Sequence, residues 1–349
     1  MFFASDNAGP VHPKVMAALN AANEGYASAY GSDALTKAAT DRIREVFEAP
    51  EAVVHLVING TAANSLALAT LANPWDCIFC SDVAHIHTDE CNAPEFFASG
   101  AKLGLIANVD GKITVEALRA RLDQEENRGV HGPQRGPVSL TQVTETGSVY
   151  CLKELHALTA VAKEFGLSVH LDGARFANAL VALGCTAAEM TWKAGIDAVS
   201  FGGTKNGLMG VEAVVIFDPA KGHELELRRK RGAHLLSKHR FLSAQMLAYL
   251  EDGLWLDMAG NSNAMGQRLA KGLVVAGGTL VGNADANLMF AQWTRAAHTR
   301  LHDAKAQYYL ADGVSLEGGQ PSDQLVARLV TNWASTTEDV DQFLSILAG

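Results

Sequence analysis

Lys205 stands among glycines in the stretch SFGGTKNG, residues 200 to 207, directly after the apolar run GIDAVS. A free lysine with a pKa of ~10.4 is protonated at pH 7 by a margin of ~4.6 kcal/mol, so as a nucleophile it needs strong perturbation. Condensation with an aldehyde removes that obstacle. One helix and one strand upstream, Asp172 ends the apolar run SVHLD and is followed by Gly173 and Arg175. A carboxylate at the mouth of a sheet is costly to desolvate unless it meets a positive partner. Arg175 is one such partner. The other is a cationic ring nitrogen, which would leave Arg175 free for a second carboxylate.

Two more stretches add to this chemistry. In VINGTAANSLALATL a strand ends at Gly60 and Thr61 and a helix starts at once, so unpaired backbone N–H groups and the Thr61 hydroxyl make a phosphate cradle. Ordinary helix capping is the structural alternative, and the stretch is no Walker loop because it lacks GxxxxGK[ST]. In DVAHIHTDECNAPEFF, His85 and His87 alternate as in an extended segment, which predicts one facing the crevice, flat on a ring, and the other facing away. A lysine for a Schiff base, an acid for a pyridine nitrogen and an anion cradle together meet the needs of a pyridoxal 5'-phosphate site. A metal site built from His85, His87, Glu90 and Cys91 lacks a second ligand cluster of recognised spacing, and no metal is expected. Cys77 and Cys80 form a CxxC on a strand, where ligands diverge; the pattern predicts buried thiols.

These residues need a scaffold that brings strand ends together. From residue 50 to residue 217 short β-branched runs (VVHLVI, CIFCSD, KLGLIA, PVSLTQV, LSVHLD, AVSF, AVVIF) alternate with helical patterns. The alternation predicts an α/β fold with right-handed crossovers and a mostly parallel central sheet sandwiched by helices, whose ligands bind beyond the carboxyl ends of the strands. CLKELHALTAVAKEFG carries Leu152, Leu155, Leu158 and Ala162 at helical spacing, with Gly166 placed to stop it. Beyond about residue 245 one long helical stretch leads into NLMFAQW and LVARLVTNW, read as a smaller α+β C-terminal domain; the domains are thus 1–245 and 246–349. Ser335 and Glu338 have capping-box spacing before the last helix. The charge run ELELRRKRG, residues 224 to 232, reads as a solvated helix face.

Composition narrows the partners. With 349 residues, 48% of them hydrophobic, the chain can bury a large core without staples. A formal charge of -10 without a clustered basic face argues against nucleic acid and anionic membranes and for a small-molecule partner. Five thinly spread cysteines fit free thiols in a reducing compartment, so the expected localisation is cytoplasmic. MFFASDNAGP has no basic leader, and no apolar run approaches the ~20 residues that span a bilayer, so the chain is expected to be soluble and complete from residue 1.

With these residues in place the chain resembles the low-specificity L-threonine aldolases, pyridoxal-phosphate enzymes of fold type I, the aspartate-aminotransferase-like fold. The likeness runs through SDNAGPVHP, YGSDALT, NGTAAN, AHIHTDE, LDGARFANA, SFGGTKNG and ARLVTNW, nearly the whole chain. It implies that Lys205 carries the cofactor as a Schiff base, Asp172 holds the pyridine nitrogen protonated, Gly60 and Thr61 bind phosphate, and His85 stacks on the ring. It implies further that Ser5, Arg175 and Arg328 hold the substrate carboxylate, that His85 or His131 handles the β-hydroxyl proton, and that Tyr30 approaches from a neighbouring subunit. Arg228, Lys230, Arg231 and Lys238 are all candidates for a basic residue lent to the neighbour's phosphate. The family often has small residues and glycines after the position of Glu90, where this chain has CNAPEFF.

The implied reaction is reversible cleavage of L-threonine, L-allo-threonine and related L-3-hydroxy-2-amino acids to glycine and an aldehyde, in a homo-oligomer, usually a tetramer built as a dimer of dimers with shared sites. The alternatives are a phenylserine-preferring aldolase and a β-eliminating lyase, which would give pyruvate plus ammonia. From a different class, a nicotinamide-dependent oxidoreductase is suggested by the parallel sheet and FGGTKNG but lacks GxGxxG after its first strand. A non-catalytic cofactor-binding protein would have no need of a Schiff-base lysine and two carboxylate-binding arginines together.

Overall fold

The computed structural model describes residues 1–311 and 313–349. Its strands are β1 (Val53–Val57), β2 (Asp76–Ser81), β3 (Lys102–Ile106), β4 (Asn108–Val109), β5 (Lys112–Ile113), β6 (Gln134–Thr141), β7 (Val169–Gly173), β8 (Ala198–Gly202), β9 (Glu212–Ile216), β10 (Thr279–Val281), β11 (Leu288–Thr294), β12 (Tyr309–Leu310) and β13 (Gln324–Val330). The helices are α1 (Pro13–Ala22), α2 (Ala34–Val46), α3 (Gly60–Leu71), α4 (His85–Thr88), α5 (Ala93–Phe97), α6 (Val115–Gln124), α7 (Leu152–Glu164), α8 (Phe176–Leu183), α9 (Ala187–Met190), α10 (Gly222–Arg231), α11 (Arg240–Leu250), α12 (Leu254–Val275), α13 (Arg295–Asp303) and α14 (Thr337–Ala348).

Seven strands form the central sheet in the order β1-β9-β8-β7-β6-β2-β3. All run parallel except β9, which is antiparallel to both β8 and β1. Helices cover both faces, so β2, β7, β8 and β9 are buried along their whole length, as their near-continuous apolar sequences require. Cys77 and Cys80 are buried free thiols within β2, and burial pushes them up to about 11 and about 12 respectively. α7 lies where the leucine spacing predicts, and Gly166 follows it at φ 71.

The C-terminal part folds on a second, antiparallel sheet in the order β10-β11-β13-β12, with its own core around Phe343, Trp293 and Leu329. Phe3 belongs to that core, and the Val330 N–H donates to the Phe3 carbonyl. The N-terminal strap is thereby fixed to the small sheet and carries Ser5, Asp6 and Asn7 toward the large one. Among the described residues no helix is long and apolar enough to cross a membrane.

Four local expectations change. The long helix beyond residue 245 is two helices, α11 and α12, broken at Glu251–Gly253, where Asp252 and Gly253 take φ of 48 and 75. The last helix is capped one residue later than the spacing suggests: the Thr336 hydroxyl accepts from the Asp339 N–H, because the Ser335 hydroxyl accepts from the Asn332 N–H instead. His85 and His87 lie on the helical turn α4, not on an extended segment. Within the charged helix α10, Arg229 is buried with its Nε unpartnered, so that helix is not solvated all round.

Candidate active site

Because β1, β2, β6, β7 and β8 are parallel, their carboxyl ends share one edge of the sheet. The cross-strand register sets Asp172 beside Thr141 on one side and Ser200 on the other. Lys205 follows β8 within one turn, the 3-10 segment Thr204–Asn206. Gly60 opens α3 after β1. The antiparallel β9 starts at this same edge, so its first residue, Glu212, lies between Val57 and Gly202. A cavity of about 190 Å³ is lined by Gly60, Thr61, Asn64, His85, Asp172 and Lys205, with Asn7, Asn59, Glu90, Ala174, Thr204 and Glu212 completing the wall. A larger cavity of about 740 Å³, between α1, α2 and α11, is lined mainly by alanines and leucines with Asp41, Arg42, Glu45 and Glu251, and holds none of the residues expected to do chemistry.

The cradle at α3 has the form its sequence predicts. Asn59 caps the helix, its side chain accepting from the Ala62 N–H at 2.8 Å and its carbonyl from the Ala63 N–H. The N–H groups of Gly60 and Thr61 therefore point past the helix start, and the space where a Gly60 side chain would stand is open.

Asp172 is buried and accepts from the Ala174 N–H at 3.1 Å and from Asn64 Nδ2 at 3.0 Å. The same Asn64 amide donates to Glu90 Oε1 at 2.8 Å, and Glu90 Oε1 lies 2.8 Å from His85 Nδ1. A continuous polar chain thus runs from Asp172 through Asn64 and Glu90 to His85. The Glu90 hydrogen bond raises the His85 pKa; burial opposes it, and the negative charges of Asp172 and Glu145 add to it. Nδ1 is committed to Glu90, which leaves Nε2 as the working nitrogen.

The arginines depart from expectation. Arg175 is not free: its Nε and Nη2 meet Asp6 Oδ2 and Oδ1 at 2.7 and 3.0 Å, a buried bidentate pair, and Asn287 Nδ2 adds a third bond to Asp6 at 3.1 Å. Nor is it the ion-pair partner of Asp172. Burial pushes the Asp6 carboxyl up, but Arg175 and Lys205 outweigh it and hold it below the usual carboxylate range. Arg328, on β13, makes no ion pair among the described residues and donates only to the Ala4 carbonyl at 3.3 Å. Its charge is disfavoured by burial and by Arg175. It is the guanidinium left with an unfilled fork.

Ser5 caps the turn Asp6–Ala8, accepting from the Asn7 N–H at 3.1 Å. Ser5, Arg175 and Arg328 do not line the cavity itself, and two further expected residues, His131 and Tyr30, lie away from it. His131 is exposed on the turn Gly129–His131, just before β6, so it stands at the amino end of a strand whose carboxyl end meets Asp172. Eight residues of strand, about 26 Å, separate the two edges. Tyr30 is exposed and lines a different cavity with Arg229 and His239.

Asp6, Asn64, Glu145 and Glu212 escaped sequence reasoning. For Asn64 a signal existed, since it lies one helical turn beyond Gly60 and is the one amide on a helix without charged residues. Glu212 is an acid inside the apolar run VEAVVIF, and that oddity was equally legible.

Comparison with known proteins decides the family. Residues 3–296 match the family model described as beta-eliminating lyase. A low specificity L-threonine aldolase of a Pseudomonas species is 42% identical over 332 residues, which cover 95% of this chain and 92% of its own length. Its Pseudomonas aeruginosa counterpart is 41% identical over 97% of this chain and 94% of its own. The chain belongs to this lyase family. The threonine aldolase structure from Leishmania major superposes with a TM-score of 0.91 at 29% identity, covering 99% of this chain and 98% of that one. A serine palmitoyltransferase from Sphingomonas wittichii, 18% identical with a TM-score of 0.72 over 100% of this chain and 86% of its own, shares the fold alone.

The family is one of pyridoxal-phosphate-dependent lyases, and the site residues fit that cofactor. The open helix start suits a phosphate, Asp172 is a buried acid aimed into the cavity, and the Thr204 hydroxyl is buried without a protein partner in hydrogen-bonding geometry.

Proposed function

We propose that this chain cleaves L-threonine, L-allo-threonine and related L-3-hydroxy-2-amino acids to glycine and an aldehyde. The observation that carries the reading is the His85–Glu90 pair in one small cavity with Lys205 and Asp172. In this reading Lys205 tethers the cofactor, Asp172 meets its ring nitrogen, Gly60 and Thr61 take its phosphate, and His85 lies against its ring. The bound cofactor supplies an electron sink for the pair left on Cα when Cα–Cβ breaks.

The residues do the rest. Arg328 offers its fork to the substrate carboxylate beside the Ser5 turn, while Arg175, its charge matched by Asp6, fixes the Asp6–Ala8 turn in place. Fixing the carboxylate selects which Cα bond is aligned to break. His85 Nε2 takes the β-hydroxyl proton, and the Glu90 carboxylate stabilises the imidazolium that results. His131 has no part in its own subunit's site.

We place the division between large and small domains at residues 245 and 246, and infer a homo-oligomer, a tetramer of the dimer-of-dimers kind, in which Tyr30 reaches a neighbour's site. Its exposure, with Lys230 Nζ 5.0 Å above its ring, supports that role. The oligomer is read as cytoplasmic.

The family description also admits β-elimination. Product analysis after incubation with L-threonine separates the two: glycine plus acetaldehyde in equal amounts is expected, and a 2-oxo acid plus ammonia would replace this reading.

A further inference from the structure

We propose that Glu212 is a positioning residue for Lys205: its carboxylate clamps the turn that presents the lysine and supplies a negative charge that favours the protonated form of the lysine–cofactor link. The proposal rests on the reading of Lys205 as the cofactor-bearing lysine.

Three observations carry it. First, the Glu212 carboxylate reaches across from the start of β9 and accepts from the N–H groups of Gly203 at 2.9 Å and Thr204 at 3.3 Å, the two residues before Lys205. Secondly, this turn has no other place to go. A side chain on Gly202 would stand 2.5 Å from the Ala174 carbonyl oxygen, and one on Gly203 2.4 Å from Leu208. On the far side Asn206 Nδ2 is pinned by the Tyr249 hydroxyl and the Trp255 carbonyl, both at 2.9 Å. Thirdly, Glu212 is buried, lines the cavity and makes no ion pair among the described residues.

A buried acid is a costly choice for a purely structural acceptor, because desolvation penalises its charged form. Here burial pushes the Glu212 carboxyl up to about 7, against the lowering effect of the Gly203 and Thr204 groups and of Lys205. The titratable groups around it are few. Lys205 follows on the clamped turn, Tyr249 comes from α11, and Asp172, His85 and Glu90 share the cavity. On β1, His55 sits opposite Val214, and burial lowers it to about 3, so it is neutral. β8 and α3 bring no ionisable side chain. Lys205 is thus the cation that the Glu212 charge acts on most directly.

The test uses the holoenzyme and reads the visible absorbance of the bound cofactor, which reports protonation of its link to lysine, as a function of pH. Glu212→Gln keeps an acceptor but removes the charge, so the protonated link loses support and the absorbance midpoint falls by about one unit, a tenfold change in the protonation equilibrium. Glu212→Asp keeps the charge on a shorter arm, and its midpoint stays within a few tenths of the parent value while cofactor reconstitution of the apoprotein slows. If Glu212→Gln does not fold, the Asp variant decides: parent-like reconstitution overturns the clamp. A Gln midpoint equal to the parent's overturns the charge role. Reduction and peptide mapping of each variant keeps this separate from the parent reading, since a cofactor found on another peptide would sink Lys205 itself and not merely Glu212.

Discussion

His85 illustrates how a neighbour sets the chemistry of a single side chain. With Glu90 2.8 Å from Nδ1, the imidazolium is favoured and its pKa lies above the ordinary 6.5. Below that raised value Nε2 carries a proton and cannot accept another, so kcat/KM should climb as pH rises through it. Replacing Glu90 by Gln removes the largest raising influence and leaves burial to dominate, so the acid limb should move down by about one unit. A pH profile of kcat/KM with its acid limb unmoved would refute this. Asp6 matters in a different currency. Asp6→Asn strips the charge from a fully buried bidentate pair and strands Arg175, and urea unfolding should register a loss of about 3 to 5 kcal/mol. Residue types were legible in the sequence: Lys205, Asp172 and His85 all reach one cavity. Their partners were not, because Asp6 meets Arg175 across a distance in sequence that no local spacing encodes.

At the scale of elements, the site depends on strands ending together, and glycines hold β7 and β8 in that register. A Gly202→Ala methyl would meet the Ala174 and Gly173 carbonyl oxygens at 2.5 and 2.7 Å, backbone atoms that cannot rotate away. Overpacking of this kind costs about 1 to 3 kcal/mol, so the thermal midpoint should fall and cofactor affinity with it. An unchanged midpoint would show that the strands slide freely. The seven strand runs, the α7 helix and the opening of α3 could all be read from period and punctuation. The direction of β9 could not: an apolar run says nothing about which way it lies, and reversal alone brings Glu212 to the catalytic edge. Likewise AHIHTD alternates like a strand, yet the backbone turns as a short helix, since four residues are too few for periodicity to choose.

The whole molecule raises the question of shared sites. If Tyr30 completes a neighbour's site while Lys205 serves its own, Lys205→Ala and Tyr30→Ala chains should each be impaired alone but complement when co-expressed, recovering about a quarter of parental activity for random dimers. Absence of recovery, with mixed oligomers demonstrated by mass, would place Tyr30 outside the site. Composition bears on this scale only through charge: a formal value of -10 argues for a small-molecule partner over nucleic acid. The assembly itself leaves no periodic trace in one chain.

The central claim is that one amine holds the cofactor. Borohydride reduction of the holoenzyme followed by proteolysis and mass spectrometry should place the phosphopyridoxyl label on the peptide containing Lys205. Recovery of the label on any other lysine, or a protein that takes up no cofactor on reconstitution, would contradict the account.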